Sequence, residues 1–450
     1  MKVPADSIGA AGVRPVKLER RGAIKRVGWG LADQALSSMT NFAVGIFVAR
    51  SVSVSDFGAY ALAFSAYCLI LGVSRALSAE PFAVRFVVAE PKPLKRARAG
   101  VFGVALATGF VSVALAALLS LVLPAEHRSL VLCLGFVLPG LLVQDNARQV
   151  LFTAGRGRSA FNNDLLWAVL LIPAFAVVLF AGEVTAASLI LAWGAAATVA
   201  GVAGCCQCRT VPSLRQVPSW LHSQRRLWPR YMVEGAAING SQQITYFVIG
   251  AVAGLAAVGE LKLVLVLLGP VNVLVQGVGV VAVPEATRAI AIGRARFVRV
   301  MAMFSIFVAF GAFLWGLTVS LLPLSWGAAV VGQGWLTASV LVLPLFLVQV
   351  LNGAKTGAAV GLRGMCAASR SMWTRVAVSL LSVACSVIGA ATAGVQGAAW
   401  GLAAAAAVNA VLWQVQFRRV LAKHAFPVKE QRSSRHSAGP VSIERNRGTR

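Results

Sequence analysis

Twelve apolar runs, each about as long as a membrane is thick, follow one another with only short polar breaks between them. They fall at roughly 27–49, 58–78, 99–123, 130–154, 160–181, 184–204, 231–254, 258–284, 300–322, 335–360, 372–391 and 396–417. About 20 apolar residues cross the hydrocarbon core as a helix, which satisfies its own backbone N–H and C=O groups where no water is available. Composition points the same way: 58% of residues are apolar and 12% charged, with a mean hydropathy of +0.78. A soluble domain has about 25% charged residues. A water-soluble enzyme is excluded, and so is a disordered chain. The fold class expected is an all-α polytopic membrane protein with twelve transmembrane helices. Its seven cysteines form no even-numbered extracellular framework, so disulfides are not expected to hold it together.

The net charge of +26 would suggest a nucleic-acid partner in a soluble protein. In a membrane chain its distribution matters more, because basic residues in short loops collect on the cytoplasmic side. With the N-terminus inside, 37 of the 41 Lys and Arg fall on inner segments and adjacent helix ends. Arg50, Arg128 and Lys262 lie near outer turns, and Arg75 lies inside the second span. The chain is therefore expected in the cytoplasmic (plasma) membrane with both termini cytoplasmic and no nucleic-acid partner. The first run shows no small-residue cleavage site and reads as a retained helix. The division expected is a basic cytoplasmic N-tail at 1–26, a six-helix bundle at 27–206, a basic linker at 207–230, a second six-helix bundle at 231–417 and a flexible basic C-tail at 418–450. The tails would lie along anionic membrane lipids.

The chain echoes itself. An offset of 201 carries Asp33 to Glu234, Thr40 to Ser241, Asn41 to Gln242 and Gly58 to Gly259. An offset of 205 carries Val137-Leu138-Pro139 and Leu142-Val143-Gln144 to Val342-Leu343-Pro344 and Leu347-Val348-Gln349. Each half has six runs, an even number, so both start on the same side. Such a parallel repeat has a pseudo-twofold axis along the membrane normal and a central cleft, an architecture suited to alternating access.

The stretch from Gln34 through Asn41, Arg50, Asp56, Phe57 and Gly58 to Tyr60 closes the first span and opens the second. It resembles the N-terminal signature of polysaccharide-transporter flippases in the multidrug/oligosaccharidyl-lipid/polysaccharide exporter superfamily. Gly155-Arg156-Gly157-Arg158 resembles that family's inner loop after the fourth span. The resemblance implies two six-helix bundles around a V-shaped cavity, a MATE-like fold, and translocation of undecaprenyl-diphosphate-linked sugars or export of related polysaccharides. It also implies partners among the glycosyltransferases or polymerase of a polysaccharide pathway. The related drug/cation antiporters share the fold, but their first-span acidic signature is not seen here.

Charges inside spans are costly and usually face a cavity or a partner, although those near helix ends can snorkel to the interface. The embedded candidates are Asp33, Arg75, Asp145, Arg148, Asp164, Glu234 and Lys355. Arg75, Arg148 and Lys355 suit the diphosphate of a lipid-linked saccharide, since Arg offers bidentate donors and Lys a point charge. Asn41, Gln144, Gln242 and Gln349, together with Asn239 and Gln243, offer amides for sugar hydroxyls or for bonds between helices. Asp33 and Glu234 are the candidates for a coupling ion, a proton or sodium. Helix counting puts Asp33 and Arg75 at similar depth and predicts that they pair. The offset then carries Arg75 to Gln276, which leaves Glu234 buried without a counter-charge. Pro139 and Pro344 are expected to kink their helices.

Cys205, Cys206 and Cys208 stand near a single histidine, His222, so no zinc site is expected. No nucleotide-binding loop occurs and no cofactor is expected. A membrane glycosyltransferase would need polar catalytic residues on a sizeable loop, which the short outer turns do not supply. The function expected is a flippase or exporter of a lipid-linked oligosaccharide or polysaccharide precursor. The alternatives are an ion-coupled multidrug or organic-cation exporter of the same fold and a non-transporting scaffold of a polysaccharide-assembly complex.

Overall fold

The computed structural model describes residues 20–86, 91–236, 240–365, 368–424 and 426. Asn239 and most of the two tails lie outside them. The described residues are helical throughout their regular structure. The first half runs α1 (Arg20–Ser51), α2 (Val54–Leu77), α3 (Ala79–Arg85), α4 (Pro91–Val122), α5 (Ala125–Thr153), α6 (Gly157–Ala181) and α7 (Ala186–Cys208). The basic linker carries α8 (Val217–Ser223). The second half begins with α9 (Trp228–Gly235), α10 (Ser241–Ala253), α11 (Leu255–Leu267), α12 (Pro270–Ile292) and α13 (Arg294–Ser320). It continues with α14 (Leu324–Val331), α15 (Trp335–Ala338), α16 (Val342–Ala354), α17 (Thr356–Gly364) and α18 (Ala368–Lys423).

Eight helical stretches among the described residues are long and apolar enough to cross a membrane. One of these, Thr374–Lys423, contains two of the expected runs, joined where Ala393 and Gly394 leave helical geometry. The runs expected at 27–49, 231–254 and 258–284 fall on α1, on α9–α10 and on α11–α12. The outer surface is dense in exposed apolar side chains such as Leu118, Val122, Phe136, Ile172, Phe180 and Ile306. A soluble protein does not tolerate apolar patches on that scale. This is a multi-pass membrane protein.

Local chemistry sets the helix boundaries. Ser53 caps α2 by accepting a hydrogen bond from the Asp56 backbone N–H at 3.1 Å, and Thr185 and Ser188 form a capping box on α7. Gly182 ends α6 in the left-handed conformation. The second half is more interrupted. Pro270 brings no backbone N–H at the start of α12, and the Trp315 indole donates to the Leu267 carbonyl at 2.8 Å beside the break. Pro139 lies inside an unbroken α5, whereas Pro344 opens α16 directly after the 3-10 turn Ser339–Leu341.

The buried residues form three cores, and their distribution gives the shape. One core joins both halves: it includes Val48, Phe57 and Tyr60 from α1 and α2, Leu189 and Trp193 from α7, and Leu261, Val264 and Trp335 from the second half. All lie toward the helix ends that carry few basic residues, called here the turn end. At the opposite, basic end the halves have separate cores. Phe82, Phe102, Leu142, Leu151 and Trp220 belong to the first, and Ala286, Phe297, Met301, Leu362 and Trp413 to the second. The halves thus share one core at the turn end and keep separate cores at the basic end, where α9 packs against α2 and α3 and a V-shaped cleft lies between the two cores.

Candidate functional site

Beside the cleft, in the basic half of the first bundle, a polar network is buried among α1, α2, α5, α6 and α7. α5 supplies its centre, with Gln144, Asp145, Asn146 and Arg148 in one turn. Residues three apart on a helix are neighbours on its surface, yet Asp145 and Arg148 each bond a different helix. Arg75 of α2 grips Asp145 in a bidentate pair, Nε to Oδ2 at 2.8 Å and Nη2 to Oδ1 at 2.5 Å. Arg148 donates to Asp33 of α1 through Nε at 2.8 Å and Nη2 at 2.5 Å, and its Nε lies 3.1 Å from Asp164 of α6. The Gln144 amide donates to Asp164 Oδ1 at 2.9 Å. Asn163 donates to the Ala200 carbonyl of α7 at 2.8 Å. On the α2 side, Ser78 donates to Asn146 Oδ1 at 2.6 Å.

Burial is nearly complete for the acids: the Asp33, Asp145 and Asp164 side chains are 1%, 5% and 5% exposed. Arg75 and Arg148 retain 34% and 16%, so the guanidiniums are the cleft-side members. Bidentate pairing of this kind compensates the desolvation of burying charge. Two features remain unbalanced. Three carboxylates face two guanidiniums, and Asp33 Oδ1 is buried with no hydrogen-bond partner.

The pairing expected from helix counting is therefore corrected. Asp33 pairs with Arg148 and Arg75 pairs with Asp145 because α1 packs mainly on α6 while α2 leans on α5 and α11. Equal depth on consecutive helices did not make them neighbours at the basic end. Arg148 and Asp164 do not snorkel either; both are turned into the network. Glu234, expected to be buried, is exposed on α9, where it interacts electrostatically with Glu80 of the first half and Arg375 of the second. The side chain of Gln276 lies outside the described residues.

The other candidates divide by location. Asn41 and Gln242 are exposed, and Gln242 donates to the Tyr246 hydroxyl at 3.3 Å. Gln243 is half-buried with its Oε1 unpartnered, and Gln349 is half-buried on α16. Gln144 is 2% exposed and belongs to the network, not to the cleft wall. Lys355 occupies the break between α16 and α17. Arg375 on α18, which sequence reasoning did not single out, lies with its guanidinium carbon 5.3 Å from the Trp413 ring centroid. Sequence reasoning also passed over Asn146 and Asn163, although each adjoins an acid in an otherwise apolar span. Among the described residues, no group of three His, Cys, Asp or Glu is placed to hold a metal ion.

No protein family matches the chain by sequence. No curated protein matches it. Solved structures do match in three dimensions. The lipid II flippase MurJ in its inward closed conformation superposes with a TM-score of 0.67 at 12% identity, covering 88% of this chain and 89% of that one. An inward-facing multidrug resistance MATE family transporter of the MOP superfamily gives 0.63 at 13% identity, covering 87% and 95%. The chain has the MATE and MurJ transporter fold. An outward-facing structure of a MATE family transporter scores 0.56 at 14% identity, with 90% and 97% covered. The shared fold carries the two-bundle, pseudo-twofold architecture expected from the internal echoes.

Proposed function

We propose that this chain is a flippase that moves a lipid-linked oligosaccharide, or a related polysaccharide precursor, from the inner to the outer leaflet of the cytoplasmic membrane by alternating access. The basic end of the cleft faces the cytoplasm in this reading, as the positive-inside rule requires. The observation that carries it is the charge on the cleft's second half. Lys355 at the α16–α17 break and Arg375 on α18 lie within electrostatic range of one another at the basic end of the second half, with no carboxylate within 4 Å among the described residues. Cations in a membrane protein that no acid pairs with directly suit an anionic head group such as a diphosphate, although Glu234 lies within electrostatic range of Arg375. Exposed Asn41 and Gln242, with half-buried Gln349, add amides for sugar hydroxyls. The likeness in fold to a lipid II flippase supports the class.

Arg75, Arg148 and Gln144 serve here by fixing α1, α2, α5 and α6 relative to one another. The network's excess carboxylate makes the Asp33–Asp164 side the place for a coupling cation, a proton or sodium. Binding there biases one arrangement of the cleft if the cation has different affinity for the two. That same excess favours a second reading, an ion-coupled exporter of organic cations.

Proteoliposomes holding a fluorescent lipid-linked oligosaccharide separate the two. Chain-dependent loss of the label from the leaflet facing the basic end, with no organic-cation uptake, is the expected result. Organic-cation transport without lipid translocation would replace the first reading by the second.

A further inference from the structure

We propose that Lys262, Tyr246 and Gln242 form a second anion-binding point near the closed apex of the cleft, one that takes a phosphate-bearing head group. This deepens the flippase reading and rests on it for the identity of the natural ligand. Sequence reasoning placed Lys262 beside an outer turn. In the fold it lies seven residues into α11, two helical turns or about 10 Å inward from Leu255. Its neighbours come from both halves. α10 and α11 each pack against α2, and the thiol of Cys68 on α2 lies within electrostatic range of the ammonium.

The Lys262 ammonium sits 3.6 Å from the centroid of the Tyr246 ring. A cation–π contact holds an ammonium in place and offsets part of its desolvation, but it leaves the charge uncancelled. No carboxylate lies within 4 Å of it among the described residues. The Tyr246 hydroxyl accepts from Gln242 Nε2 at 3.3 Å, so its own proton is free for another acceptor. The exposed Gln242 amide keeps a second N–H. The point therefore presents an ammonium, a phenolic O–H and an amide N–H on one fixed ring, a set of donors that calls for a multi-oxygen anion.

With Lys355 and Arg375 on the basic side, Lys262 completes two stations along the second half. A head group released by the first on closure of the basic end would meet the second as the turn end parts. α11 carries Lys262 and also forms the turn-end seam with α2, so the station moves with the gate.

Titration calorimetry of the purified full chain in nanodiscs with inorganic pyrophosphate tests this directly. Losing a charge-assisted hydrogen bond weakens binding by about tenfold or more. Lys262→Gln should show that loss for one class of site, Tyr246→Phe a smaller one, and Lys262→Arg near-normal affinity. The conservative Lys262→Arg and Tyr246→Phe variants keep the comparison valid should Lys262→Gln fold poorly. Binding that weakens in Lys355→Gln but keeps its full affinity and stoichiometry in Lys262→Gln and Tyr246→Phe would overturn the proposal. The outcome is independent of translocation. A chain that binds pyrophosphate through Lys262 yet moves no lipid-linked saccharide sinks the flippase reading and leaves this site standing.

Discussion

Gly58 and Gly259 touch backbone to backbone across the seam between the two halves. A Cβ on Gly58 would lie 1.9 Å from the Leu255 carbonyl oxygen, and one on Gly259 would lie 2.1 Å from that of Val54. The two glycines correspond under the internal repeat, so the contact is one repeat-related position meeting its counterpart at the pseudo-twofold axis. It seals the turn end. Adding a methyl at Gly58 must part α2 from α11, at an overpacking cost of about 1–3 kcal/mol. Gly58→Ala should therefore favour the form open at the turn end. A cysteine placed at Ala61, which is 5% exposed, should react several-fold faster with a thiol reagent applied from that side. Gly72→Ala is the control, since nothing lies within 4 Å of its added Cβ. Equal labelling in Gly58→Ala and Gly72→Ala would show that this seam is not the gate.

Arg148 holds two buried acids at once, so its removal should be among the most damaging single changes. Arg148→Met leaves Asp33 and Asp164 without their cation, which costs about 3–5 kcal/mol for a broken buried pair. A lower unfolding midpoint in detergent and reduced abundance are expected. Adding Asp33→Asn should recover part of the loss, with a coupling of about 0.5–3 kcal/mol for groups in contact. Asp33 combined with Arg75→Met should show no comparable recovery, because Arg75 belongs to Asp145. Recovery through Arg75 and none through Arg148 would contradict the observed pairing.

The fold was legible because lipid imposes one solution on each apolar run, and because Gly58 and Gly259 stand at the repeat offset whether or not their contact is known. The Phe57-Gly58 pair in the first turns of α2 also has its reason in that contact, which only a residue without a side chain permits. Partner choice in the network was not legible. Counting turns gives depth along a helix but not which helix lies alongside, and α1 turns to α6 where sequence order suggested α2. Exposure of Glu234 was hidden for a related reason. Hydropathy marks a run as membrane-spanning but does not tell which face of its first turns is packed, and Glu234 falls on an unpacked face of α9. The Tyr246 ring beside Lys262 was not legible either, because the two residues stand on different helices, α10 and α11.

The orientation proposed from the basic loops is decided by accessibility. Single cysteines replacing Ser129 at the turn end and Arg226 in the basic linker should label oppositely in intact cells. With an impermeant reagent, Ser129→Cys reacts and Arg226→Cys reacts only after permeabilisation. Arg226 is exposed, so lack of access cannot come from packing. The reverse pattern would turn the cleft, and the direction of transport, around.

The two repeat-related acids, Asp33 and Glu234, should separate cleanly in function. Asp33 is wholly buried, has one carboxylate oxygen without a partner, and sits where three acids share two guanidiniums. Replacing it by Asn keeps the shape and makes the numbers of charges equal. Arg148 remains paired with Asp164 at 3.1 Å, so the protein should still accumulate. What is lost is the surplus negative charge, which in the proposed function is the reason for a proton or sodium ion to enter. Asp33→Asn is thus expected at near-normal abundance with transport that no longer responds to a proton or sodium gradient. Glu234 is exposed and makes no ion pair within 4 Å among the described residues, only an electrostatic interaction with Arg375, and exposed pairs are worth about 0–1 kcal/mol. Glu234→Gln should leave coupling intact and change substrate affinity by no more than a few-fold. Transport by both variants in proteoliposomes, with pH and sodium gradients imposed separately, gives the comparison. Gradient-driven transport that survives Asp33→Asn and fails in Glu234→Gln would move the coupling site to the mouth of the cleft.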